Sequence, residues 1–167
     1  MKSCVVIYNP NSGHTLKTKH LKEYKIILEK HGYSARFIGT EYRGHAKEII
    51  SHLDKCDLVI SMGGDGTFNE AVTGNLQRKD RLVLAHIPVG TTNDVGVMFG
   101  YGKDIKKNLS LLLNGVTKEM DICIINGQPF VYVAGFGKFM HIPYQTSRKL
   151  KKKWGYMAYL IEGVKDF

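Results

Sequence analysis

Cysteine, long apolar runs and the familiar nucleotide fingerprints are all scarce in this chain. The three cysteines, Cys4, Cys56 and Cys123, make no CxxC pair, and each lies in or beside an apolar stretch. They read as small buried residues in a reducing compartment, because a zinc site would need more ligands at closer spacing. No stretch approaches the roughly 18 to 20 apolar residues of a membrane span. The first apolar run, Cys4 to Tyr8, is too short for the core of a signal peptide and reads as a strand, so a cytoplasmic protein is expected. There is no GxxxxGKS/T, and Gly96, Gly100 and Gly102 before Lys103 do not have that spacing, which excludes a P-loop NTPase. No GxGxxG follows a strand, and no repeat or low-complexity segment is visible. Acidic residues are outnumbered, 15 against 24 Lys and Arg, and the net charge of +9 favours nucleic acid, anionic lipid or phosphorylated substrates as partners.

What the chain does have is rhythm. At 167 residues and 43% hydrophobic content it can bury a sizeable core in one domain. Strand-like and helix-like stretches alternate from the N-terminus. Cys4 to Tyr8, Tyr33 to Ile38, Leu58 to Met62 and Leu82 to Ile87 are short and β-rich. Between them, Lys17 to Lys30 carries Leu21, Tyr24, Ile27 and Leu28 on one helical face and stops at Gly32. Ala46, Ile49, Ile50 and Leu53 mark a second amphipathic helix, and a third is expected from about Phe68 to Leu76. Asp104 is expected to cap a helix whose apolar face is Ile105, Leu109, Leu112 and Leu113. After residue 115 two β-rich runs, Val116 to Ile125 and Pro129 to Ala134, flank Asn126-Gly127, a hairpin signal. The pattern predicts an α/β fold with a parallel sheet between helices, then an antiparallel part. In such sheets ligands sit at the carboxyl ends of the strands.

Three loops follow strands and can meet at that edge. The most informative is Gly63-Gly64-Asp65-Gly66-Thr67, three glycines around one carboxylate between a strand and a helix. Glycine lets backbone N–H groups approach an anion and tolerates positive φ, and the helix start adds positive dipole. A tight turn with Asp65 as a simple cap is the bland alternative, but a cap needs one acidic residue and not three glycines beside it. The second loop is Asn9-Pro10-Asn11-Ser12-Gly13, with His14, Lys17 and Lys19 nearby. The third is Pro88-Val89-Gly90-Thr91-Thr92-Asn93-Asp94, small polar side chains at a helix start, where Asp94 is a second carboxylate or a plain cap. Asp121 stands in a strand-like stretch, where acidic residues are depleted. Phosphoryl transfer needs charge neutralisation, and Mg²⁺ takes hard oxygen ligands that Asp65, Asp94 and Asp121 can supply directly or through water.

Two further features suit a membrane surface. Arg148 to Trp154 holds five positive charges in seven residues, followed by Tyr156 and Tyr159. A solvated helix start explains that run equally well. Trp154, Met157, Ala158 and Ile161 recur at helical spacing, for which core packing is the first explanation.

Taken together and in this order, Asn9 to Gly13, the glycine run continued through Phe68-Asn69-Glu70, and Ile87 to Asp94 resemble the catalytic domain of the diacylglycerol kinase and sphingosine kinase superfamily, most of all its soluble bacterial lipid kinases. The similarity continues through Asp121-Ile122, Ala134-Gly135-Phe136-Gly137 and the basic segment Ser147 to Lys153. The glycine–aspartate run alone is shared with NAD kinases and, more distantly, phosphofructokinases. The resemblance implies a Rossmann-like three-layer parallel sheet of that NAD kinase and phosphofructokinase kind. It implies a nucleotide-binding domain over residues 1–125 and the beginning of a β-rich second domain over 126–167. It implies ATP as donor, Mg²⁺ as cofactor and a lipid alcohol such as diacylglycerol as acceptor, giving phosphatidic acid. Gly63, Gly64, Gly66 and Thr67 would hold phosphates. Asn9, Ser12, Thr91, Thr92 and Asn93 would line the nucleotide site. Asp65, Asp94 and Asp121 would join an aspartate–water–Mg²⁺ network, and Lys149, Lys151, Lys152 and Lys153 would dock the protein peripherally on an anionic membrane. A homodimer is allowed, and no nucleic-acid partner is expected. Relatives of this type carry a second β-rich domain that holds the general base. The chain is therefore expected to be a fragment or a truncated homologue, with weak or absent activity by itself. An NAD kinase and a non-catalytic nucleotide- or membrane-binding module are the alternative readings.

Overall fold

A computed structural model describes residues 1–12 and 18–134. In chain order the elements are β1 (Lys2–Tyr8), α1 (Thr18–Lys30), β2 (Tyr33–Gly39), α2 (His45–Ser51), β3 (Leu58–Gly63), α3 (Asp65–Leu76), β4 (Leu84–Pro88), α4 (Asp94–Met98), α5 (Ile105–Leu113), β5 (Cys123–Ile125) and β6 (Gln128–Phe130). The first four strands form one parallel sheet in the order β2-β1-β3-β4. Side chains alternate across a strand. Cys4 and Val6 therefore meet Tyr24 and Leu28 of α1 and Leu109 of α5 on one face, while Val5 and Ile7 meet Ala46 and Ile50 of α2 and Ala71 of α3 on the other. Every residue of β3 is buried, as a central strand covered on both faces requires. The expected α/β sheet with helices on both faces is thus present, and a small antiparallel pair, β5 and β6, follows it.

The strands end level. Tyr8 pairs with Gly39 and with Met62, and Gly63 pairs with Pro88. The loops that leave β1, β2, β3 and β4 therefore emerge at one edge.

Local sequence signals explain several boundaries. Gly32 stops α1 at φ 82°. Asp104 caps α5 by accepting from the N–H groups of Lys106 and Lys107. Asn126 and Gly127, at φ 49° and 75°, make the hairpin turn between β5 and β6.

Other boundaries differ from the sequence reading. α3 starts at Asp65 and not at Phe68, so Asp65, Gly66 and Thr67 of the glycine run are helical. β4 starts at Leu84, because the amide of Asn75 takes both the N–H and the carbonyl of Leu82. Of the run Val116 to Ile125 only Cys123–Ile125 is strand. Among the described residues nothing pairs with 116–122, and β-rich composition without a ladder to join makes no strand. Asp121 accordingly lies exposed before β5 and not within a strand. Gly13, His14, Lys17, the segment 135–137, the basic run 148–154 with Lys149, Lys151, Lys152 and Lys153, and the stripe from Trp154 to Ile161 lie outside the described residues.

Candidate functional site

β1 lies between β2 and β3, so the chain turns left from one end of β1 and right from the end of β3. That reversal opens a crevice at the carboxyl ends of β1 and β3, where open α/β sheets take their ligands. The loop after β1 is folded against it. Asn9 donates its N–H to the carbonyl of Met62 at 3.1 Å. The Asn9 side chain accepts from the N–H of Asn11 at 2.9 Å, and its carbonyl accepts from that of Ser12 at 3.1 Å. This is an Asx turn, which explains two asparagines around Pro10. Ser12 is buried by it.

The glycines of the run after β3 serve close approach. None of Gly63, Gly64 and Gly66 is in the left-handed region. A Cβ on Gly63 would lie 2.6 Å from the Thr67 side chain, and one on Gly90 would lie 2.6 Å from Cα of Gly64. The carbonyl of Gly63 accepts from Val89 N–H at 2.8 Å. The backbones of two phosphate-loop candidates therefore touch with no side chain between them. Gly64 is the N-cap of α3, and its carbonyl accepts from Thr67 and Phe68 at 3.0 and 3.2 Å. With Thr67 N–H used in this way, the first-turn N–H groups left without a partner within the helix are those of Asp65 and Gly66, and they lie at the ligand edge with the positive end of the dipole. Gly66, exposed in that turn, has open space where a Cβ would be.

Asp65 ties this turn to the third loop. One carboxylate oxygen accepts from Asp94 N–H at 3.1 Å and the other from Val95 N–H at 3.2 Å. The first residue of α3 thus caps α4, a role that α4's own N-cap residue, Asn93, does not fill with its side chain. Asn93 is in the left-handed region at φ 59°. Its amide accepts from Gly90 N–H at 2.7 Å and donates to Gly90 carbonyl at 3.0 Å, which closes the loop on itself. Asparagine is one of the few residues suited to both tasks.

The predicted site residues therefore divide. Asn9, Ser12, Gly63, Gly64, Gly66, Thr67, Asn93, Asp65 and Asp94 gather at one edge of the sheet, with Thr91 and Thr92 exposed in the loop between. Asp121 is attached through its neighbour Ile122, which packs on Phe68 and Val95. Among the described residues no three His, Cys, Asp or Glu side chains come close enough to form a metal cage, so the three aspartates do not make one. Behind Phe68, His86 is buried. Its ring stacks on Phe68 with centroids 4.8 Å apart, and Nδ1 donates to the carbonyl of Ser61 at 3.1 Å. Burial pushes its pKa down to about 4, so the ring is neutral.

The sequence reading did not single out one further feature beside these loops. A polar cleft of about 410 Å³ lies between the start of α2, α3 and β6, lined in part by Arg43, Lys47, Asn69, Glu70 and Gln128. Glu70, one turn along α3 from Thr67, accepts from Gly44 N–H at 2.9 Å. The available signal was Gly44, at φ 91° in the loop after β2, the fourth loop at the same edge.

Comparison with known proteins adds to this geometry. The family model described as the diacylglycerol kinase catalytic domain matches residues 3–125. The chain is 38% identical over 167 residues to a diacylglycerol kinase of Bacillus subtilis (strain 168), covering 98% of this chain and 55% of that protein. It is 37% identical over 165 residues to a diacylglycerol kinase of Staphylococcus aureus (strain JH9), covering 97% and 52%. The chain thus spans about half the length of the curated relatives it matches. A crystal structure of a diacylglycerol kinase from Bacillus anthracis (strain Sterne) superposes with a TM-score of 0.66 at 28% identity, over 77% of this chain and 48% of that one. A second chain from the same organism gives 0.71 at 29%, over 78% and 48%. With the loops joined as described and these matches spanning them, the chain belongs to the diacylglycerol kinase catalytic domain family.

Proposed function

We propose that this chain is the nucleotide-binding part of an ATP-dependent lipid kinase that phosphorylates diacylglycerol or a related lipid alcohol. The observation that carries the nucleotide half of this reading is the fusion of two glycine loops at the N-terminus of α3, beside the crevice between β1 and β3. The lipid half rests on the names of the relatives. In the reaction the lipid hydroxyl oxygen bonds to the γ-phosphorus and gives up its proton to a general base, the bond to the β–γ bridging oxygen breaks, and ADP and a phosphatidic acid leave.

The residues present have defined tasks in this reading. The N–H groups of Asp65 and Gly66, in the first turn of α3, hold phosphate oxygens. Asn9 and Ser12 close one side of the crevice, and Thr91 to Asn93 the other. The open cleft lined by Glu70, Arg43 and Lys47, next to the first turn of α3, takes the nucleoside. Mg²⁺ fits the donor set without a protein cage, since it is ordinarily held by one or two carboxylates, phosphates and water. Asp65 and Asp94 stand at the phosphate end of α3, and each Asp65 oxygen keeps lone-pair capacity beyond the N–H it accepts. The ion would supply charge neutralisation of the phosphates there, with Asp121 reached through water.

The division into a nucleotide domain at 1–125 and a β-rich unit from 126 belongs to the same proposal, and so does a general base outside the described residues. Lys149, Lys151, Lys152 and Lys153 are proposed to dock the protein on the inner face of an anionic membrane. Among the described residues no helix is long and apolar enough to cross one. The test is transfer of labelled phosphate by the native full-length protein, given anionic vesicles carrying diacylglycerol or, separately, NAD. Labelled phosphatidic acid is expected. Label in NADP, or none in either with ATP still bound, overturns the lipid kinase reading.

A further inference from the structure

Asn69 follows the glycine run on α3, yet its side chain is engaged with a segment sixty residues later. Its Nδ2 donates to the carbonyl of Pro129 at 3.4 Å, and its Oδ1 accepts from the N–H of Val131 at 3.1 Å. Pro129 and Val131 are two residues apart, so their carbonyl and N–H face the same edge of β6. The amide of Asn69 therefore stands where the peptide of a neighbouring strand would stand. Val131 and Ile122 then pack on Phe68, Val72 and Val95 beneath it. Between these anchors lies Gln128, an exposed residue of β6 that lines the same cleft as Glu70, Arg43 and Lys47.

A two-stranded hairpin has little stability of its own and needs something to pack on. Here β5 and β6 have three residues each, and β5 is exposed throughout. Their placement over the cleft therefore depends on α3, to which Asn69 supplies two directed polar contacts. From this we infer that Asn69 is a positioning residue: it clamps β6 onto the phosphate-binding helix and thereby sets Gln128 as the outer wall of the nucleotide cleft. The inference rests on the nucleotide reading of that cleft. It assigns Gln128, a donor and acceptor on one short side chain, to hydrogen bonding with the polar edge of the bound nucleoside.

The test is a double-mutant cycle on ATP affinity in the native full-length protein, measured by calorimetry. Gln128→Ala removes the wall and leaves the clamp, and being exposed it should not disturb folding. Asn69→Ala removes the clamp and leaves Gln128. Each is expected to weaken ATP binding about fivefold or more, the scale of one lost hydrogen bond. The double variant should be no weaker than the weaker single one, because both act through one contact. Asn69→Asp keeps the acceptor for Val131 and loses the donor, so it should fall between Asn69→Ala and the native protein, and it serves if Asn69→Ala does not fold. Full additivity, or native ATP affinity in a folded Asn69 variant whose melting temperature has dropped, would reduce Asn69 to a purely structural residue. A native protein that fails to bind ATP at all would instead strike at the nucleotide reading itself.

Discussion

Asp65→Asn is the perturbation whose outcome the structure fixes most closely. Both carboxylate oxygens accept N–H groups from the first turn of α4, at 3.1 and 3.2 Å. An amide in the same place keeps one acceptor and turns an NH₂ toward the other N–H, which can accept nothing. One bond to a charged group is lost, worth about 1.5–3 kcal/mol, and the other is reduced to a neutral bond of about 1 kcal/mol. The charge–dipole attraction at the α4 N-terminus goes too, about 0.5 kcal/mol. Asp65 is half-buried, so the low end applies, and a loss of about 2 kcal/mol follows. In a domain of this size that is a fall in melting temperature of about 4–8 °C. Chemical denaturation of Asp65→Asn beside Asp94→Ala provides the contrast. Asp94 contributes its backbone N–H to the contact, so its alanine variant keeps the cap and should lose less than about 1 kcal/mol. In the native full-length protein, the proposed function requires that phosphoryl transfer vanish in Asp65→Asn although the fold survives. Equal stability of the native protein and Asp65→Asn, within about 0.5 kcal/mol, would refute the capping geometry. Native turnover in Asp65→Asn would leave Asp65 with the cap alone.

Asn93→Ala should cost about 2–4 kcal/mol, from two hydrogen bonds to Gly90 and a left-handed backbone that alanine resists, whereas Asn93→Gly should cost less by the backbone part. Urea midpoints of the two variants decide it, and equal losses would mean that the backbone conformation is not strained. Gly74→Ala should destabilise by about 1–3 kcal/mol despite the usual helix gain, because its Cβ would run into the Lys47 carbonyl of α2. Gly66→Ala, with open space around it, should keep or slightly raise the melting temperature while weakening ATP binding; unchanged affinity would remove Gly66 from the phosphate site. His86 adds a pH dependence. Its folded pKa is pushed down to about 4 from 6.5, so the unfolded chain binds the extra proton between those values and stability is lost as pH falls through that window. The full loss is about 3 kcal/mol, complete near pH 4 and absent above about pH 7. Denaturation at pH 7 and pH 5 should show a smaller acid loss in His86→Phe, and an identical loss in both proteins would contradict the buried neutral ring.

The alternation of β-rich and amphipathic stretches was enough to specify the parallel sheet, because burial on both faces selects those patterns. Gly32, Asp104 and Asn126-Gly127 marked their boundaries correctly, since each acts through local backbone geometry. The three loops were also visible as glycine- and Asn-rich punctuation after strands. The reason for their glycines was not. Positive φ is a local property, whereas the clash at Gly90 comes from Gly64, twenty-six positions away along the chain. Val116 to Ile122 failed as a strand for the same reason in reverse: propensity was present and a partner was not among the described residues.

The sequence by itself therefore determined the alternation of strands and helices that builds the parallel sheet, that its ligand-type loops can share one edge, and the family to which the motifs point. Tertiary structure alone decided what those loop residues do to one another. It made Asp65 the cap of α4, joined Glu70 to Gly44, and gave the amide of Asn69 to β6. Such contacts depend on where distant backbone groups end up, and a hydrogen bond needs its partner within about 3 Å and in line. No local pattern encodes that distance until the sheet has set the strands in register.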